Sequence, residues 1–365
     1  MIFWLTIICY ALPLILLISF GRFQLLHKKT KRNNIKFDLK ELTVIIPFRN
    51  EETNLPAIVK CINNSTRLPL KFIFIDDHST DSSLDYLKDL SVNNTDIHVV
   101  RLQDNLFGKK HALRLGVGLA KTKYVLFLDA DVHFDKEYFE NLTTIETGDL
   151  NILPVKMIST QWYQHFFIID YNVVNAVNEA IAGWNRPIMA SGANLLIARE
   201  KFMKWDSNNH FNYLGGDDLY ILRDFRKNNG QILLESNKKY CVQTQGPNSV
   251  KEFISQRLRW INNSKKVSDN LSDFLVLLQL VLTFSYLTTF FYFLFHTLVE
   301  EALWLACFKF IFDILLFYPF FKNKEQVLPL CLLPIYELLF PIYVLILMIG
   351  MIFIKPKWKN RNINP

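Results

Sequence analysis

Apolar positions are distributed very unevenly along this chain. Four long stretches, residues 2–20, 274–299, 302–321 and 327–354, are largely apolar. Each is long enough to cross the bilayer as a helix, which takes about 20 residues. Between the first and the second the pattern changes, and short apolar runs alternate with segments of helical spacing. Residues 42–46 read as a strand that ends at Pro47, and Leu55, Ile58, Val59 and Ile62 mark a helix after it. Residues 72–75 form a second strand, and Leu84, Tyr86 and Leu87 fall on another helix. Residues 97–101, 110–120 and 124–128 read as strand, helix and strand. Strands alternating with helices predict βαβ units, hence an α/β fold with a Rossmann-like, mostly parallel sheet.

The 365 residues are 50% hydrophobic, too apolar for an ordinary soluble protein of this size, and the excess lies in the four long stretches. The first has no basic region before it and no clear cleavage site after it. Arg22, His27, Lys28, Lys29, Lys31 and Arg32 follow instead, so residues 1–21 read as an uncleaved N-terminal transmembrane anchor. By the positive-inside rule, the basic cluster places a domain at 36–246 in the cytosol. Residues 247–270 then form an interfacial amphipathic segment, and 274–354 a C-terminal transmembrane region of about three helices, making a multi-pass protein of the cell membrane. Four crossings would return the C-terminus to the outside, whereas Lys355, Lys357, Lys359 and Arg361 favour the cytosol. Either residues 327–354 do not cross simply or an earlier segment lies on the surface.

The net charge of +7 suits anionic headgroups, and the absence of a basic stripe interleaved with aromatics argues against nucleic acid. Five scattered cysteines without a Cys-x-x-Cys pattern argue against a zinc ribbon or a disulfide framework.

The candidate chemistry begins at Asp129-Ala130-Asp131, directly after the strand at 124–128. On its own such a pair is more often a solvated turn. At the carboxyl end of a buried parallel strand it lies where open α/β sheets bind ligands. Carboxylates are hard oxygen ligands for Mg²⁺ or Mn²⁺, and an ion held by only one or two of them keeps positions open for a nucleotide diphosphate. In one sheet, Pro47 to Glu52, Asp76-Asp77, Gly108 to Lys110 and Asp129 to Asp131 open into the same crevice.

Five ordered motifs make a family resemblance specific. They are residues 44–52 (Val-Ile-Ile-Pro-Phe-Arg-Asn-Glu-Glu), residues 76–81 (Asp-Asp-His-Ser-Thr-Asp), Leu128-Asp129-Ala130-Asp131, Gly216-Asp217-Asp218 and Gln256-Arg257-Leu258-Arg259-Trp260. Their order and spacing resemble the membrane-bound family 2 glycosyltransferases, the last matching that family's Gln-x-x-Arg-Trp motif. The segment 186–195 is similar as well, notably to a bacterial subgroup resembling ceramide glucosyltransferases and cellulose synthases in the catalytic core. The resemblance implies a GT-A fold, a nucleotide-diphosphate sugar donor, a divalent metal, inversion at the anomeric centre and a bacterial inner membrane.

It also implies roles. Pro47 and Glu51 belong to the nucleotide-contacting first loop, and Asp77, with Asp76 beside it, accepts hydrogen bonds from uracil or ribose. Lys109, after Gly108 at a helix start, meets phosphate oxygens. Asp131 is the direct metal ligand, with Asp129 reaching ribose or metal. Asp218 is the candidate base and Asp217 the second choice, although either could cap the helix expected at 219–227. Gln256, Arg259 and Trp260 share a helix face and offer donors to diphosphate and a stacking surface. Trp184 and Asn194 are assigned to the acceptor side.

The expected activity is sugar transfer to a membrane lipid or lipid-linked glycan. A processive polysaccharide synthase is the alternative enzyme, disfavoured by so small a membrane portion, in which Lys309 and Asp313 at i,i+4 could simply pair. A non-catalytic nucleotide-sugar binding protein is disfavoured because both metal acids and the base are present.

Overall fold

The computed structural model describes residues 15, 16, 18–24, 37–92, 94–184, 186–206, 215–267, 270–354, 357, 358, 361 and 362. The anchor expected at 1–21 and the basic residues from 27 to 32 lie largely outside these, and the described parts of 15–24 are helical. The chain divides into two units. One comprises residues 30–158, 189–246 and 355–365, the other 1–29, 159–188 and 247–354.

The first unit is built on a seven-stranded sheet. Its strands are β1 (Leu42–Phe48), β2 (Lys71–Asp76), β3 (Ile97–Arg101), β4 (Tyr124–Leu128), β5 (Leu150–Ile152), β7 (Asn194–Ala198) and β8 (Ile232–Leu234), in the order β3-β2-β1-β4-β7-β5-β8. β6 (Val155–Ile158) pairs with β9 (Val242–Gln245) in a small separate sheet. The β1–β2, β1–β4, β2–β3 and β5–β8 pairs are parallel, and β7 runs antiparallel to both β4 and β5. Chain order runs outward from β1 through β2 to β3 on one side and resumes with β4 on the other. The carboxyl ends of β1 and β4 therefore flank a topological switch point, the place where such sheets open a crevice.

The helices are α1 (Leu55–Asn63), α2 (Ser83–Val92), α3 (Lys109–Leu119), α4 (Tyr138–Leu142), α6 (Arg199–Trp205) and α7 (Asp217–Lys227), with α5 belonging to the second unit. Every residue of β1 and β4 is buried, as expected of strands covered on both faces. The helix α3 lies close against β1, since a Cβ on Gly116 would stand 2.5 Å from Ile45 Cγ2. Only glycine permits that approach. β1 also runs through Pro47 rather than ending there. Its register with β4 stops at Ile45, so past that point a residue without an N–H has an unpaired side to face.

The second unit contains α5 (Gln164–Ala182), α8 (Val250–Val267), α9 (Asn270–Phe295), α10 (Val299–Asn323) and α11 (Leu333–Phe353). The sequence reading placed α5 within 36–246, but by contacts it groups with the apolar helices. Leu316, Phe317, Phe320 and Phe321 of α10 pack in one buried cluster with Ile169, Ala176 and Ala180 of α5. Residues 270–295, 299–323 and 328–353 form three helices long and apolar enough to cross a membrane. Pro329 and Pro334 sit in first turns, where no N–H is missed, while Pro319 and Pro341 are inside helices. Lys309 does pair with Asp313, and Glu337 of α11 joins them 2.9 Å from the ammonium.

Candidate active site

The crevice at β1 and β4 is walled by loops that the local sequence pins together. Asn50 takes φ 51°, in the left-handed region that Asn tolerates. Its N–H donates to Ser79 Oγ (3.1 Å), its Oδ1 accepts from Thr80 N–H (2.8 Å), and Glu51 N–H donates to Ser83 Oγ (2.8 Å). The loop carrying Glu51 is thus strapped to the loop after β2, while Pro47 is buried within β1.

Asp76 and Asp77 divide the work at the end of β2. Asp76 is fully buried, accepts Ser79 N–H at 2.8 Å and lies 3.6 Å from Arg101 Nε, so it shapes the turn. Asp77 accepts Gly108 N–H at 3.0 Å, and its backbone carbonyl accepts from Arg49 Nη1 at 3.0 Å. Burial pushes the Asp77 carboxyl above its ordinary value, with the Gly108 N–H and Arg49 pulling the other way. Asp77 therefore joins the loop after β2 to the start of α3. Gly108, at φ 97°, is the cap of α3 and adopts a conformation that favours glycine.

Lys109 is the hub. Its ammonium binds Asp129 and approaches the Gly192 carbonyl at 3.4 Å. Burial pulls the ammonium's pKa down, but the charges of Asp129, Asp217 and Asp218 outweigh it and hold the group above the ordinary lysine value. Asp131, half-buried two residues on, is pushed up to about 6 by burial and by the charges of Asp129 and Glu51. Glu51 thereby belongs electrostatically to the same acid cluster.

Asp217 and Asp218 do not precede their helix as the sequence suggested. They are the first two residues of α7, which is capped by Gly216 at φ 73°. A helix N-terminus favours carboxylates by about 0.3–1 kcal/mol, yet burial wins at both. Burial pushes Asp217 up to about 6, against the pull of Lys109 and Lys110, and raises Asp218 against the pull of Lys109. Asp218 Oδ2 accepts Gly192 N–H at 3.1 Å and Oδ1 accepts Leu219 N–H at 2.9 Å. A Cβ on Gly192 would come 3.1 Å from Lys109 Nζ and 3.6 Å from Asp218 Cβ, so this glycine separates lysine from acid at close quarters. The sequence reading assigned Gly192 no role. Its only local signal was the run of small residues Ala190-Ser191-Gly192-Ala193.

The Asp217 shift carries a stability consequence. A carboxyl raised from 3.8 to about 6 on folding opposes the folded state once pH exceeds the unfolded value, in full above pH 6. Asp217→Asn is expected to stabilise the chain at pH 7 by about 2–3 kcal/mol, and the gain should vanish as pH falls from 6 toward 4. Thermal unfolding of the detergent-solubilised protein across that range measures it. A gain independent of pH would refute the electrostatic cause.

The remaining expected site residues divide between the two units. Asn194 is fully buried at the start of β7. Its Oδ1 accepts from Tyr138 OH at 2.6 Å, and its Nδ2 donates to the carbonyls of Pro154 (2.9 Å) and Tyr240 (3.0 Å). These internal bonds place its side chain in the core rather than on the wall of a cleft. Trp184, Gln256, Arg259 and Trp260 belong to the second unit. Trp184 donates to Ser19 Oγ at 2.8 Å beneath the Arg22 guanidinium. Gln256, Arg259 and Trp260 lie on α8, half-buried, beside the buried Arg257, to which the sequence assigns no catalytic role.

As to metal, no group of three or more His, Cys, Asp or Glu side chains that could hold an ion occurs among the described residues. The Asp129–Asp131 pair, with Glu51 in the same acid cluster, is an oxygen-rich place where a divalent cation would relieve acid–acid repulsion.

The chain is similar to known glycosyl transferases. The glycosyl transferase family 2 model matches residues 43–149, and the glycosyl transferase family group 2 model matches residues 124–354. A 4,4'-diaponeurosporenoate glycosyltransferase of Staphylococcus aureus is 31% identical over 153 residues, covering 40% of this chain and 40% of the relative. The match thus spans less than half of that protein. The structure of the mannosyltransferase PcManGT from Pyrobaculum calidifontis, in complex with GDP-Man and Mn²⁺, has a TM-score of 0.52 at 14% identity, covering 96% of this chain and 99% of that one. The sheet is accordingly that of the GT-A fold. Since the second family model takes in well over half of the chain, from β4 and its acid pair through α7, the Gln-x-x-Arg-Trp helix and the three apolar helices, the chain belongs to glycosyl transferase family group 2.

Proposed function

We propose that this chain is an inverting glycosyltransferase that moves a sugar from a nucleotide-diphosphate donor, a UDP-sugar in the first instance, to a membrane lipid or lipid-linked glycan. The observation that carries the proposal is the gathering of Asp129, Lys109, Gly192 and Asp218 at the switch point of the sheet. In this reading Asp218 accepts the proton of the acceptor hydroxyl while its oxygen attacks the anomeric carbon. The bond from that carbon to the diphosphate oxygen breaks on the opposite face, and the electron pair leaves with the diphosphate. A carboxyl raised by burial suits a base working near neutral pH. Lys109 supplies positive charge to the leaving group, and Gln256 and Arg259 supply further hydrogen-bond donors. Trp260 offers a flat surface to the acceptor.

Asp131 and Asp129 would hold Mg²⁺ or Mn²⁺, which when bound offsets charge building on the diphosphate. The mannosyltransferase of the same fold is in complex with GDP-Man and Mn²⁺, which supports both the donor class and the ion. The staphylococcal relative's name supports glycosyl transfer. A lipid acceptor accounts for three bilayer-length apolar helices in the same chain as a nucleotide-sugar fold. The basic cluster after the first apolar stretch supports a catalytic domain on the cytosolic side.

The test is mass analysis of lipids from membranes containing the full-length protein, the Asp218→Asn variant, or neither, after incubation with a panel of nucleotide sugars. A lipid heavier by one sugar, present only with the unaltered protein, is expected. A polysaccharide ladder would favour the processive synthase instead, and product equal in both protein-containing samples would refute the assigned chemistry.

A further inference from the structure

Within the Gln-x-x-Arg-Trp motif, Arg257, one of the two unspecified positions, is a buried charge. It is only 6% exposed, and its Nε donates to Asp170 of α5, itself 4% exposed, at 2.5 Å. The second oxygen of Asp170 accepts from Tyr336 OH of α11 at 3.1 Å. A buried ion pair contributes little net stability, because desolvation offsets the attraction, whereas breaking it leaves an uncompensated charge. What the pair gains here is geometry, since a fork of five donors can be fixed by one partner while holding others.

Arg257 has two further engagements, both with the residues expected to serve the reaction. Its Nη1 donates to Gln256 Oε1 at 2.9 Å, and its guanidinium lies 4.2 Å from the centroid of the Trp260 ring. Phe253, at 4.6 Å, completes the stack around the same group. The first contact has a definite chemical meaning. Arginine has no acceptor, so the amide atom facing it must be the oxygen. The N–H₂ of Gln256 is consequently turned away from Arg257 and kept as a donor.

We propose that Arg257 is a positioning residue. Anchored by Asp170 and Tyr336, it selects the amide orientation that makes Gln256 a hydrogen-bond donor and fixes the plane of the Trp260 ring. The membrane helix α11 is thereby tied, through one carboxylate and one guanidinium, to the motif on α8. This inference rests on the reading that Gln256 donates to diphosphate oxygens and that Trp260 faces the acceptor.

The test is kinetics of the full-length protein in membranes for Gln256→Ala, Gln256→Glu, Arg257→Lys and the double variant Gln256→Ala/Arg257→Lys. Lysine keeps a charge toward Asp170, so the protein stays folded, but one ammonium cannot also orient the amide and stack on Trp260. A hydrogen bond to a charged group is worth roughly 10- to 100-fold in rate when lost, so Gln256→Ala should lower kcat by that factor and leave nucleotide affinity nearly unchanged. Gln256→Glu, nearly the same shape, presents an oxygen where the N–H₂ stood and should lose at least as much. Arg257→Lys should lower kcat by roughly tenfold, and the double variant should fall no more than about twofold below the worse single variant, because residues acting through one another are not additive. Losses that multiply, or Arg257→Lys within twofold of the unaltered protein, overturn the positioning role. Full activity of Gln256→Ala with Arg257 intact overturns the motif reading itself, and that result is visible in the single variant alone.

Discussion

Asp218→Asn should abolish transfer while leaving nucleotide binding in place. The amide preserves the shape of the carboxylate and keeps an oxygen to accept the Gly192 N–H, now at 3.1 Å, so the site is not expected to collapse. What disappears is the basic lone pair, and a positioned general base is worth roughly 10²–10⁴-fold. The pH profile supplies a second check. Burial raises the Asp218 carboxyl, so a larger share of it is protonated as pH falls, and the protonated form cannot accept the acceptor's proton. Activity of the unaltered protein should decline on the acid side at a pH above the ordinary carboxylate range, and the residual activity of Asp218→Asn should lack that limb. A loss below about tenfold would transfer the role to Asp217, whose carboxyl is also raised, to about 6, but whose Oδ1 is buried without a hydrogen-bond partner among the described residues.

The second large effect is expected at Asp131. Its carboxyl is pushed up to about 6 by burial and by Asp129 and Glu51, so replacing it with alanine removes an unfavourable charge and should not unfold the protein. In the proposed function that charge receives a cation, since a site of clustered acids is stabilised when a divalent ion neutralises it. Asp131→Ala should remove nearly all transfer and also abolish the dependence of nucleotide affinity on added Mn²⁺, measured by titration with nucleoside diphosphate. Full turnover by the variant in excess chelator would overturn the metal assignment. Lys109 gives an internal comparison. Because it pairs with Asp129 and not with Asp131, removing Asp131 should leave that ion pair standing.

Much of the architecture is legible in the linear pattern because each long element carries its own period. β3 and β4 occupy the residues expected of them, and α3 begins one residue before the expected start. The strands β5 and β8, three residues each, escaped notice because three residues hold no complete alternation to read. α7 began two residues early because Gly216, not an acid, provides the cap, and a side-chain cap is a cue that glycine does not give.

The candidate site divides in the same manner. That Asp129, Asp131, Lys109, Asp217 and Asp218 are residues of interest follows from their types and from their place after apolar runs, which are local properties. Their partnerships are not local. Lys109 meets Asp129 across 20 residues, Gly192 meets Asp218 across 26, and Arg257 meets Asp170 across 87. Asn194 is assigned to the acceptor side by the family resemblance, and its three internal hydrogen bonds make it a satisfied core residue. The sequence by itself determined the membrane-length apolar runs, the α/β alternation and the identity of the acids, because hydrophobic period and side-chain chemistry are carried residue by residue. Only the tertiary structure decided which acid faces the lysine, which carboxyls are raised and which arginine lies buried against the motif's glutamine and tryptophan, because those depend on burial and on separations of a few ångströms between segments distant in the chain.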